Sequence, residues 1–143
     1  MPHGTGKGQQ HTMYDNVKEH IVRYVQKTYK LGEDIAESLE NEEMIDLTSK
    51  KPMRKISIEK DAAVKKIEQD GFDLDYQTDY RIYSERVVTL NSNTKKAFAL
   101  IMENYCSKAM QVRVKELSDY QTKIHNDPIE LPKAIKILMH EPI

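Results

Sequence analysis

Cys106 is the residue best equipped for covalent chemistry, because a thiolate beside a histidine is a common nucleophile and base pair, and His125 and His140 follow it in the chain. It stands in an apolar run, however, where a thiol behaves as a small packing residue. Tyr76, Tyr80 and Tyr83 recur at steps of four and three and could stack nucleic-acid bases along one helix face. The same spacing describes an interhelical seam with hydroxyls at its edge, which is the simpler reading. Lys50, Lys51, Arg54 and Lys55, continued by Lys60, Lys65 and Lys66, could touch RNA or an acidic partner surface. No aromatic residues interleave with them, so a solvated loop and helix face is the simpler reading.

The remaining signals are weaker. Gly4-Thr5-Gly6-Lys7-Gly8 has the glycines of a phosphate-binding loop, but Gly8 stands where Ser or Thr is needed and no strand precedes it. His3 and His11 read as solvated tail histidines, and His20 has no second ligand four residues on. The carboxylates are scattered, with no Asp-Ser-Gly or Asp-Thr-Gly of an aspartic protease and no Glu-x-x-His metal pattern. One cysteine excludes an internal disulfide and every zinc site that needs two thiolates. The expectation is a non-enzyme with no metal and no cofactor.

The elements that position these residues are helical by composition and period. The chain has 143 residues, of which 31% are charged and 38% hydrophobic, and only five are Gly and five Pro, a balance that favours helix over turn. Its formal net charge of −1 argues against a dedicated nucleic-acid-binding domain, which is normally basic. No run approaches the roughly 20 apolar residues that span a bilayer. Together with the lone cysteine, this predicts a soluble, cytoplasmic protein without membrane contact.

The strongest period runs through Tyr76, Tyr80, Tyr83, Val87, Leu90, Thr94, Ala97 and Ile101, one stripe of a long central helix over about residues 75–105. The stripe is narrow at first and broadens at Ala97-Phe98, so this helix should pass from a solvated face into a core, with Cys106 and Met110 packing just beyond it. Upstream, a helix capped at Asp15 or Asn16 carries Val17, Ile21, Tyr24 and Val25 and stops at Gly32; a second, shorter helix follows, forming an N-terminal hairpin. Residues 1–13 read as a flexible leader and 14–143 as a single helical domain. Residues 40–55, which switch from acidic to basic and contain Pro52, read as a mobile loop. Ser57 to Gln69 reads as a helix that Gly71 ends. Beyond Cys106 the pattern gives a short helix through Ala109 and Val114, a polar turn from Ser118, and a last helix capped at Asp127 with Ile135, Leu138 and Met139 on its apolar face. Pro132 either kinks that helix or begins it.

The series TKKAFALIMENYCSKAMQVRV followed by DYQTKIHNDPIELPKAIK resembles the C-terminal part of the Gag-like region of Copia-type retrotransposons, especially those of diatom and other protist lineages. The upstream block IVRYVQKTYKLGEDIAESLEN is similar to the same family's, in the same order, so the likeness spans most of Val17 to Ile137. Asn104-Tyr105 stands where Gly-Gln is frequent in the family, and Pro132 where Leu is usual. The resemblance implies an all-α, capsid-like structural domain whose activity is self-association. In that family the grip on element RNA lies in a downstream Cys-Cys-His-Cys zinc knuckle, absent from this chain, so RNA is at most a possible partner here. A helical adaptor that binds protein or RNA through the basic loop at 50–55 is the alternative.

Overall fold

The structure is a computed structural model that describes residues 5–140, with side chains from Asn16 onward. It is all-α: among the described residues there is no strand, and the α-helices are α1 (Thr5–Thr28), α2 (Glu33–Asn41), α3 (Ala62–Asn104), α4 (Lys108–Lys115) and α5 (Glu130–Met139). A 3-10 turn occupies Thr48–Lys50 and a π turn Tyr120–Ile124. The expected leader over 1–13 falls partly outside the described residues, as do His3 and Pro142. α1 runs from Thr5, ahead of the start expected at Asp15 or Asn16.

The chain divides into two compact units. The first joins residues 1–45 to 90–143, and the second is the stretch between them, Asp46–Thr89. α3 contributes to both.

In the first unit α1 and α2 pack as the expected hairpin, burying Ile21 and Val25 from one helix and Ile35, Ala36 and Leu39 from the other. The turn between them works differently from the expected glycine stop. Leu31, not Gly32, takes the left-handed backbone, with φ 48°, while Gly32 is right-handed at φ −70°. Glycine is needed for room: a Cβ there would lie 2.3 Å from the carbonyl oxygen of Val25 and 2.9 Å from that of Tyr29. Inside α2 the buried Ser38 hydroxyl donates to the Asp34 carbonyl at 2.8 Å and accepts from the Ile45 amide at 2.9 Å, which anchors the chain as it leaves the helix.

The rest of this core comes from the second half of α3 and the helices after it. Leu90, Ala97, Phe98, Ile101 and Met102 are buried, and the buried Asn93 amide donates to the Lys30 carbonyl at 2.7 Å. Ser107 caps α4 by accepting from the Met110 amide, as its hydroxyl should at an N-cap. Gln111 reaches back to the carbonyls of Met102 and Cys106, satisfying acceptors that the end of α3 leaves open. The Asp127 carboxylate accepts from the amides of Ile129 and Glu130. Pro132 therefore falls in the first turn of α5, where a missing N–H costs nothing, and α5 begins at Glu130 without waiting for it. Its buried face is Leu131, Ala134 and Leu138; Met139, expected inside, is exposed.

The second unit holds the 3-10 turn, an extended segment and the first half of α3. Residues 57–61 are not helical; Asp61 starts α3 by accepting from the amides of Ala63 and Val64, each at 3.0 Å. Nor does Gly71 end a helix. It has no positive φ and open space around its missing side chain, and glycine inside a helix costs only about 1 kcal/mol relative to alanine. One helix thus replaces the two expected on either side of it.

Candidate interaction surface

The four cations singled out in the sequence do not form a free patch. Lys50 and Lys51 are exposed at the end of the 3-10 turn. Arg54 makes a two-pronged contact with Asp73, Nε to Oδ1 at 2.9 Å and Nη2 to Oδ2 at 3.2 Å. The pair holds the Asp73 carboxyl below, and the guanidinium above, their ordinary pKa values, chiefly through these hydrogen bonds. The Lys55 ammonium lies 5.9 Å from the centre of the Phe72 ring, close enough for a cation–π attraction.

A residue the sequence did not flag completes this contact. The Gln69 side chain donates to the Lys55 carbonyl at 2.9 Å and accepts from the Ser57 amide at 2.8 Å, bonding the main chain of the extended segment at two points as a neighbouring strand would. The buried Ser57 hydroxyl donates to Glu68 at 3.0 Å. The segment is thus held on α3 by polar bonds, and its apolar side chains face away: Met53 is 87% exposed and Ile58 91%.

The tyrosine stripe continues the Gln69 and Asp73 face along α3. Tyr76 and Tyr80 have ring centres 5.7 Å apart, Tyr80 and Tyr83 6.0 Å. Tyr76, Tyr83 and Val87 are half-buried and Tyr80 exposed; from Leu90 onward the same stripe, with Ala97, Phe98 and Ile101, is core. Met110 is half-buried. Cys106 is also half-buried, and burial raises its thiol pKa, the opposite of what a thiolate nucleophile requires. No group of three or more metal-ligating side chains gathers among the described residues.

On the opposite side of α3, Val64, Ile67, Leu74, Ile82 and Val88 are 47, 75, 64, 59 and 67% exposed. At 100° per residue they fall within one third of the helix circumference, turned away from the tyrosines. Across residues 46–89 only Leu47 and Ser57 are buried, so this unit has almost no core of its own. Burying the five aliphatic side chains would recover about 1–2 kcal/mol each. That is enough to offset a substantial part of the roughly 4–15 kcal/mol that association costs. The signal was present in the sequence as a second apolar period, offset from the tyrosines and interrupted by Gly71 and Thr78.

Compared with protein-family models, curated proteins and solved structures, the chain matches none.

Proposed function

We propose that this chain is a non-enzymatic structural domain that self-associates, of the Gag-like kind its sequence resembles, and that it works in the cytoplasm. The observation that carries the reading is the aliphatic stripe of α3. Five large apolar side chains stand in solvent on one face of a helix whose own unit has nothing to cover them, and such a face marks an interaction surface. No helix of the described residues is long and apolar enough to cross a membrane, so a protein surface is its natural cover. The Gag-like assignment itself is supported by the ordered motifs between Val17 and Ile137.

Light scattering on purified protein over a concentration series is the direct test. A mass that rises above one chain in the micromolar range is expected. A strict monomer at high micromolar concentration, with no particles in electron micrographs, overturns self-association. A coding sequence that continues into a zinc knuckle, a protease and a reverse transcriptase is expected around it. The adaptor reading ranks second because Arg54 and Lys55 are already engaged within the chain, which leaves it Lys50 and Lys51 alone.

A further inference from the structure

We propose that Ser57 is a phosphoacceptor for a protein kinase with an acidic substrate groove, and that its phosphorylation releases the extended segment from α3. The inference goes beyond self-association and does not depend on it. The chain has five arginines, and a serine or threonine stands three residues after three of them: Ser57 after Arg54, Ser84 after Arg81 and Thr89 after Arg86. Ser57 alone has a second cation, Lys55, two residues before it. Cations at such positions are what an acidic kinase groove selects. The fold makes the same choice. Ser84 and Thr89 lie inside α3, whereas Ser57 lies in a non-helical stretch. An extended chain can lay its hydroxyl in line with the leaving group of a bound nucleotide, as phosphoryl transfer requires; a helix must first unwind.

In the docked segment the Ser57 hydroxyl is buried, donating to Glu68 at 3.0 Å and accepting from the Glu59 amide at 3.2 Å. It becomes available when the segment lifts. The contacts that hold the segment are polar ones to Glu68, Gln69 and Asp73, with the Lys55 ammonium near Phe72. Met53, Ile56 and Ile58 stay in solvent throughout. A region with so few buried apolar contacts opens locally without unfolding the rest. In the open state the Ser57 oxygen attacks the γ-phosphorus of ATP and the bond to the β–γ bridging oxygen breaks. ADP leaves with that electron pair, and the hydroxyl proton passes to the catalytic aspartate of the kinase. The new phosphate carries about −1.5 to −2 charges at neutral pH. Redocking would press it against the Glu68 carboxylate in a buried position, so repulsion and lost hydration keep the segment off α3.

The full chain, incubated with magnesium ATP and the catalytic subunit of cyclic-AMP-dependent protein kinase, should gain one phosphoryl group, placed on Ser57 by fragment masses. Ser57→Ala, helical by circular dichroism, should gain none. In the modified chain the Ser57 amide, which Gln69 otherwise holds, should exchange as fast as an unprotected one. The amides of Leu90 to Met102 should keep their protection. A full chain that takes no phosphate, or takes it on Ser84 or Thr89 instead, overturns the site. A chain phosphorylated on Ser57 whose Ser57 amide stays protected overturns the release.

Discussion

The two halves of α3 are the same secondary structure held for different reasons. From Leu90 to Met102 the helix buries Leu90, Asn93, Ala97, Phe98, Ile101 and Met102; from Ala62 to Thr89 it buries nothing. The second half is helical because its apolar face is packed, the usual source of helix stability in proteins. The first half rests on local devices: the Asp61 cap, the Lys66–Asp70 pair at 3.3 Å, and the polar grip of Gln69 and Asp73 on the extended segment. Local polar contacts can therefore hold a long helix while one apolar face stays exposed, and that face is where a partner is to be sought.

The sharpest break in this comparison is a charge placed on each half. Ile101→Asp, which buries an unpaired carboxylate, should cost about 4 kcal/mol or more in chemical denaturation. Ile67→Asp should stay within about 0.5 kcal/mol when measured at a dilution where copies separate. An equal loss from both would mean that the first half has a core after all. Ser38→Ala, which strips the half-buried Ile45 amide of its acceptor, should cost about 1–2 kcal/mol, read as a lower melting midpoint. Gly32 and Gly71 should respond with opposite signs. Gly32→Ala drives a methyl into the Val25 carbonyl and should destabilise by about 1–3 kcal/mol. Gly71→Ala meets open space and should stabilise the separated chain by about 0.5–1 kcal/mol.

The smallest effect is a local one with pH. Asp73 has its pKa lowered by Arg54 and Gln69, so its share in docking the extended segment is complete above the ordinary carboxylate range. It is lost as pH falls through the lower folded value. Amide-exchange protection at Ser57 should therefore hold at neutral pH and fade below about pH 4, with the first unit unaffected. Protection that persists well into acid would assign the docking to Gln69 alone.

Much of the first unit was legible in the sequence because its signals are local and agree with one another. The hairpin period, the Asp127 cap and the broadening at Ala97 each specify the element found there. Gly32 was placed at the right turn for the wrong reason, since a steric need shows only once Val25 and Tyr29 have closed around it. Gly71 misled because a glycine signals a helix end only when the chain also needs a left-handed residue, and here Asp61 had already set the helix running. Gln69 could not be read as a site: a single amide acquires a role only when a segment twelve to fourteen residues earlier lies against it. The exposed stripe of α3 was obscured by the stronger tyrosine period on the other side of the same helix.

The division of the first unit into residues 1–45 and 90–143 also sets a clock for the chain as it is made. The hairpin of α1 and α2 is complete early, yet the Asn93 side chain that bonds Lys30 comes 63 residues later, and Leu131 and Leu138 later still. At about 5–20 residues per second, the Lys30 carbonyl waits on the order of 3–13 s for the Asn93 side chain that bonds it. During that interval the nascent hairpin is open to chaperones, to proteases and to neighbouring hairpins on the same message.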